Sequence, residues 1–167
     1  MSTKDEELIS NVGSEEKYAH KPNFSGVWQH VRSDNLDAFL KATGVNWFMR
    51  KVAVRSDPIY TIFHEDEVIR IIFSNGGTSR ETVFVIDEEY DEMDWNDRPM
   101  RVKVYWDEDS LVELHEPTEW GNGTALRVTK FLRGFDLLIF VLELGDVTCR
   151  RYFRKQLATN RLPSLNE

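Results

Sequence analysis

The hydrophobic positions of this chain change their period partway along it. Leu36, Phe39 and Leu40 recur at helical spacing, with Ser33 placed to cap a helix and Gly44 to end it. Val45, Phe48, Met49 and Val52 form a second stripe of the same kind. No proline between Asn23 and Asp57 interrupts either stripe, and Pro58 then closes the helical stretch. Beyond Pro58 the period becomes two. Ile69, Ile71 and Phe73 alternate with Arg70 and Ile72, Met100, Val102 and Val104 with Arg101 and Lys103, and Val128, Lys130 and Leu132 with Thr129 and Phe131. Turn sequences separate the runs: Asn75-Gly76-Gly77, Asn96-Asp97, Asp107-Glu108-Asp109, Gly121-Asn122-Gly123 and Gly145-Asp146. The pattern predicts about nine strands after the helices and one before them, near Gly26 to Arg32. Two helices inserted after the first strand fit an antiparallel barrel with a helical lid better than a sandwich.

The chain ends carry no such pattern. Residues 1–22 hold Lys4, Lys17, Lys21 and five acids but few large apolar side chains, so burial cannot offset the entropy of ordering them, and a disordered extension is expected. Residues 156–167 read as a shorter C-terminal tail, leaving 23–155 as the domain. The length of 167 residues suits a single domain. The longest unbroken apolar run, Leu137 to Leu142, is six residues, far short of the roughly 20 that a spanning helix needs. The opening MSTKDEELIS lacks the apolar core of a secretory signal, and a single cysteine, Cys149, permits no intrachain disulfide; both suit a reducing, cytoplasmic location. With 21 basic and 29 acidic residues the formal charge is -8, which speaks against affinity for nucleic acid or anionic lipid carried by net charge. The excess is local, because seven acids fall between Asp87 and Asp97.

Phe24-Ser25-Gly26-Val27-Trp28, followed by Ser33-Asp34-Asn35-Leu36-Asp37-Ala38-Phe39-Leu40-Lys41, resembles the opening of the intracellular fatty-acid-binding proteins, a group within the calycin superfamily that includes the cellular retinoid-binding proteins. The resemblance continues through Gly44-Val45, Arg50-Lys51, Pro58, Glu89-Tyr90-Asp91-Glu92, Asp97-Arg98, Leu111-Val112 and Cys149-Arg150-Arg151-Tyr152. It implies an all-β, lipocalin-like fold: a ten-stranded antiparallel up-and-down barrel capped by a helix-turn-helix. It also implies a carrier rather than an enzyme, a monomer without cofactor that holds one long-chain fatty acid or similar amphiphile inside the barrel.

The family anchors its ligand's carboxylate with an Arg-x-Tyr pair on the last strand and a basic residue on the strand two earlier. In this sequence the resemblance assigns those places to Arg150, Tyr152 and Lys130, with His115, Val102, Val128, Phe39 and Leu36 as further ligand contacts. The assignment is physically coherent. Residues two apart on a strand share a face, a carboxylate entering a low-dielectric interior needs a cation, and arginine offers it a planar fork. The departures from the family pattern bear on specificity. Lys130 is a point charge where many members carry arginine, Leu36 replaces an aromatic, and His30 replaces an apolar residue. Gly77 falls where a portal phenylalanine is common, Trp95 where a small residue is, and parity turns Glu113 and His115 inward.

Other constellations carry less. His20, His30, His64 and His115 show no metal-ligand spacing, and the run from Asp87 to Asp97 lacks the glycine and closing glutamate of a calcium loop. No nucleophile motif is present. A portal is expected at the second helix, the Ser74–Ser79 turn and the Asp94–Pro99 turn, with Asn46, Trp47, Arg50 and Lys51 able to touch a membrane. Two alternatives stay open: a retinoid or sterol-like ligand, and a barrel that has lost lipid binding and serves as an interaction protein.

Overall fold

The structure, a computed structural model, describes residues 17–94, 96–120 and 122–157. Strand β1 (Gly26–Asp34) is followed by helices α1 (Leu36–Ala42) and α2 (Trp47–Val54). Then come β2 (Ile59–Glu65), β3 (Val68–Asn75), β4 (Thr78–Val85), β5 (Glu89–Met93), β6 (Pro99–Asp107), β7 (Ser110–Pro117), β8 (Leu126–Arg133), β9 (Leu137–Leu144) and β10 (Val147–Lys155). The ten strands form one antiparallel sheet in the order β4-β3-β2-β1-β10-β9-β8-β7-β6-β5, so β1 pairs with β10 and the sheet closes except between β4 and β5. Side chains span that gap: Arg80 on β4 donates to the Met93 carbonyl at 2.7 Å, and Phe84 stacks on Tyr90 across it.

The alternation seen in the sequence is the inside-outside alternation of the wall. Val102, Val104, Leu138, Phe140 and Phe153 face inward with Trp28, Ile62, Ile69 and Phe84, and together they make the main core. Trp28 is completely buried at the base, its indole N–H donating to the Phe24 carbonyl at 2.9 Å. Beside it Phe24, His64 and Trp106 stack. His64 accepts from the Phe24 N–H through Nδ1, so Nε2 carries the proton it shares with the Asp66 carbonyl, and burial holds its pKa below the ordinary histidine value.

Part of the segment expected to be disordered lies against this base. Lys17 pairs with Asp87 at 2.9 Å, Tyr18 donates to the same carboxylate, and Lys21 donates to the Glu108 carbonyl while covering the Trp106 ring. The rest of that segment, residues 1–16, lies outside the described residues, as do Trp95 and residues 158–167 of the expected C-terminal tail.

The lid departs from the sequence expectation at its start. Asn35, not Ser33, is the N-cap of α1; it adopts the left-handed conformation that asparagine tolerates, and its side chain donates to the Thr148 carbonyl at 2.9 Å. Ser33 stays in β1, because a bulge between His30 and Arg32 inserts one residue and turns both His30 and Ser33 inward. Helix α2 starts after Asn46, whose side chain accepts from the Met49 N–H at 3.0 Å. Leu36 and Phe39 seat α1 on Cys149, over Leu126 and Leu142. The β5–β6 turn is latched to the lid by Arg98, which donates to the Thr43 carbonyl at 3.1 Å while paired with Asp94.

Candidate ligand site in the barrel interior

Cross-strand pairing shows which side chains share the inner wall. One row runs Ser33, Arg151, Phe140, Lys130, Leu111 across β1, β10, β9, β8 and β7. The next runs Cys149, Leu142, Val128, Glu113, Val104, and a third holds Leu126, His115, Val102 and Tyr90. Lys130, His115, Val102 and Val128 are thus brought together on one interior wall. Leu36 and Phe39 lie above it, on the underside of the lid.

Arg150 and Tyr152 are not part of this wall. Arg150 pairs with Asp34 and Val141 on the outer face and is exposed; Tyr152 pairs with Arg32 and Ile139, and the Arg32 guanidinium lies 3.9 Å from its ring centre. The physical reason is phase. Cys149 and Phe153 are fully buried, and period two then places Arg151, not Arg150, inside. The inward pair is Arg151 and Phe153, so the inner face of β10 carries no phenolic hydroxyl two residues after its arginine. Tyr60 on β2, one strand beyond β1 in the sheet, stands edge-on to Phe153 with ring centres 5.1 Å apart.

Lys130 and Arg151 face the interior in different states. Lys130 is buried and forms an ion pair with Glu113, whose other oxygen lies 3.2 Å from His115 Nε2. Burial pushes the Glu113 pKa up, but Lys130 and His115 outweigh it and hold the carboxyl well below the usual range. Arg151 has no carboxylate within ion-pair distance among the described residues. Its Nε donates to Ser33 Oγ at 3.0 Å, which leaves the two terminal nitrogens of the guanidinium free toward the interior.

The Ser33 oxygen lies 2.8 Å from His30 Nε2, and His30 Nδ1 lies 3.1 Å from Asp57. The connectivity is that of a Ser-His-Asp relay, but the serine oxygen is engaged by Arg151 and Asp57 is largely solvated. Here the chain orients the Arg151 fork, since a serine that accepts from arginine donates its proton to His30. No spacing rule in the sequence pointed to Ser33 as an interior residue, because the bulge that turns it inward is a pairing irregularity. Tyr60, Tyr90, His115, Leu142 and Arg151 all face inward and are only partly buried, with Tyr60, Tyr90 and Leu142 packed at the edge of the core. At the lid end, grooves open beside the Ser74–Ser79 turn with Asp57 and Ile59, and along α2 at Trp47, Phe48, Lys51, Val52 and Arg55. No group of His, Cys, Asp and Glu among the described residues has the geometry of a metal site. No helix among them is long and apolar enough to cross a membrane.

A lidded antiparallel barrel with an inward polar wall is the architecture of proteins that enclose a small hydrophobic molecule. The chain belongs to the intracellular lipid-binding protein family, whose members are carriers and not enzymes. It is 33% identical to cellular retinoic acid-binding protein 2 of Mus musculus over 137 residues, covering 81% of this chain and 99% of that protein. It is 34% identical to cellular retinoic acid-binding protein 1 of Takifugu rubripes over the same shares. No family model matches. Among solved structures, apo lipid binding protein 8 of Caenorhabditis elegans superimposes with a TM-score of 0.73 at 24% identity, over 80% of this chain and 95% of that one. Human cRBP IV superimposes with a TM-score of 0.73 at 24% identity, over 81% and 99%.

Proposed function

We propose that this protein is a cytoplasmic, monomeric carrier of a hydrophobic carboxylic acid, a class that takes in both fatty acids and retinoic acid, with the carboxylate held by Arg151. The observation that carries this reading is the inward guanidinium of Arg151, which lacks a carboxylate partner and is aimed by Ser33 and His30. An inward, partly buried cation without a carboxylate partner favours an anionic guest. The Tyr60 hydroxyl, which lies in the field of Arg151, adds a donor. The apolar inner wall would receive the tail, where each buried methylene contributes about 0.8 kcal/mol gross. Lys130 takes no direct part in the anchor, because Glu113 already occupies it.

The test is capture. Delipidated protein incubated with a mixed lipid extract and re-isolated should enrich lipophilic acids over the matching alcohols and esters, read by mass spectrometry. Recovery of alcohols alone, or of nothing above a control protein, would overturn the assignment.

Delivery fits the lid. Trp47, Phe48, Met49 and Val52 on α2 are about half or more exposed, next to Lys51 and Arg55, so the helix can lay an apolar face on a bilayer while its cations meet anionic headgroups. Transfer of a fluorescent fatty acid to vesicles should accelerate with vesicle concentration and anionic lipid content. Trp47→Ala with Phe48→Ala should remove that dependence several-fold; a rate that ignores vesicle concentration would rule the contact out.

A further inference from the structure

The interior holds a second polar cluster that the carboxylate does not use. Lys130 and Glu113 cancel each other's charge, and His115 closes on the far oxygen of Glu113. Around this neutral group several hydrogen-bonding positions stay open. The Lys130 ammonium has two N–H groups beyond the one given to Glu113, and beyond that pair it meets only the faces of Phe140 and Phe84. The second ring nitrogen of His115 is free. The Tyr90 hydroxyl, on a ring stacked against Phe84, and the Tyr60 hydroxyl belong to partly buried residues and lie in the field of Glu113 without a hydrogen-bond partner among the described residues. Open donors and acceptors on the inner wall favour a guest that can hydrogen-bond to them, and an apolar wall would serve a plain hydrocarbon tail better.

Position decides what these groups meet. Lys130 and Arg151 flank Phe140 in one row, so their Cα atoms are about 10 Å apart, two strand spacings. A guest whose carboxylate sits on Arg151 passes Lys130, Glu113 and Tyr90 with the middle of its chain. A second carboxylate there would face Glu113, whereas a neutral oxygen would accept from Lys130 or Tyr90 and a hydroxyl would also donate to His115 or Glu113.

We infer that the Lys130–Glu113–His115–Tyr90 cluster is a subsite for a neutral oxygen function, making the preferred guest an oxygenated lipophilic acid, a hydroxy or keto acid, rather than an unadorned one. This rests on the placement of the carboxylate at Arg151 proposed above.

The experiment is competition for a bound fluorescent fatty acid on the full chain, with stearic acid and its mid-chain hydroxy and keto derivatives as competitors. The wild-type protein should prefer the best-placed derivative by about tenfold, roughly 1.4 kcal/mol. In the charge-neutral double variant Glu113→Leu/Lys130→Met that preference should vanish or reverse. The single variant Glu113→Gln, which frees Lys130, should raise affinity for stearic acid itself. Equal affinity for all derivatives in the wild type, or a preference that survives in a folded double variant, overturns the subsite. Arg151→Met separates the two readings. Loss of affinity for every acid in that variant, with no preference in the wild type, leaves the carboxylate anchor standing and removes only the subsite. Unchanged affinity for acids removes the anchor.

Discussion

Arg151→Met should weaken binding of a fluorescent fatty acid or of retinoic acid by roughly a hundredfold or more, while Arg150→Met should leave it unchanged. Each charge-assisted hydrogen bond to a carboxylate is worth about 1.5–3 kcal/mol, and the free terminal nitrogens of Arg151 can offer two. Arg150 stands on the outer face beside Asp34 and Val141 and touches no guest. The pair of variants is informative because the two residues are adjacent, equally charged and on the same strand, so they differ only in the face they occupy. Neither should lower stability much. Arg151 gives up one hydrogen bond to Ser33, and removing a cation that has no carboxylate partner relieves a cost. Isothermal titration on proteins with matching unfolding midpoints is the measurement. Equal losses in both variants, or a loss at Arg150 alone, would reverse the assignment of the inner face.

Glu113→Ala should cost about 3–5 kcal/mol of folding stability, the largest single effect expected in the barrel wall, because it strands the Lys130 charge in the interior. The desolvation of Lys130 is offset in the native protein only by Glu113 and by the faces of Phe140 and Phe84. Replacing both members of the pair, Glu113→Leu with Lys130→Met, should restore stability to within about 1 kcal/mol or raise it, since buried ion pairs rarely outperform well-packed apolar residues. Urea unfolding with an unchanged slope distinguishes the cases. A loss below about 1 kcal/mol in the single variant would mean that the pair is hydrated rather than buried, the ordinary range for a solvated ion pair.

The interior pair also accounts for the gap between what the sequence offers and what the site does. Counting along β8 places Lys130 at the basic position of the anchor, and the structure does turn it inward. Counting does not show that the neighbouring strand delivers a carboxylate to the same spot, since Glu113 and Lys130 are seventeen residues apart in the chain. Lys130 faces inward, but its charge is already committed to Glu113.

The elements themselves were legible. Period-two alternation, glycine-asparagine turns and a helical interval ended by Pro58 suffice for ten strands and a lid, because burial on one face of a closed sheet demands that pattern. The inward residues of β6 and β8 followed from it directly, since Val102, Val104, Val128 and Lys130 alternate with polar or outward neighbours. Strand β10 was ambiguous for a physical reason. Its run Cys149-Arg150-Arg151-Tyr152-Phe153-Arg154 carries arginine in both phases and an aromatic in both phases, so an Arg-x-aromatic pair exists on each face. Alternation fixes which residues travel together and leaves open which set is inside.

What the sequence determined by itself, then, was the set of elements, their order and the period of each, because these depend on local spacing and turn chemistry. Only the tertiary structure decided the phase of β10, the inward turn of Ser33 at the bulge and the meeting of Lys130 with Glu113. Those depend on which strand lies beside which and in what register, and a one-residue shift in register exchanges the two faces of a strand.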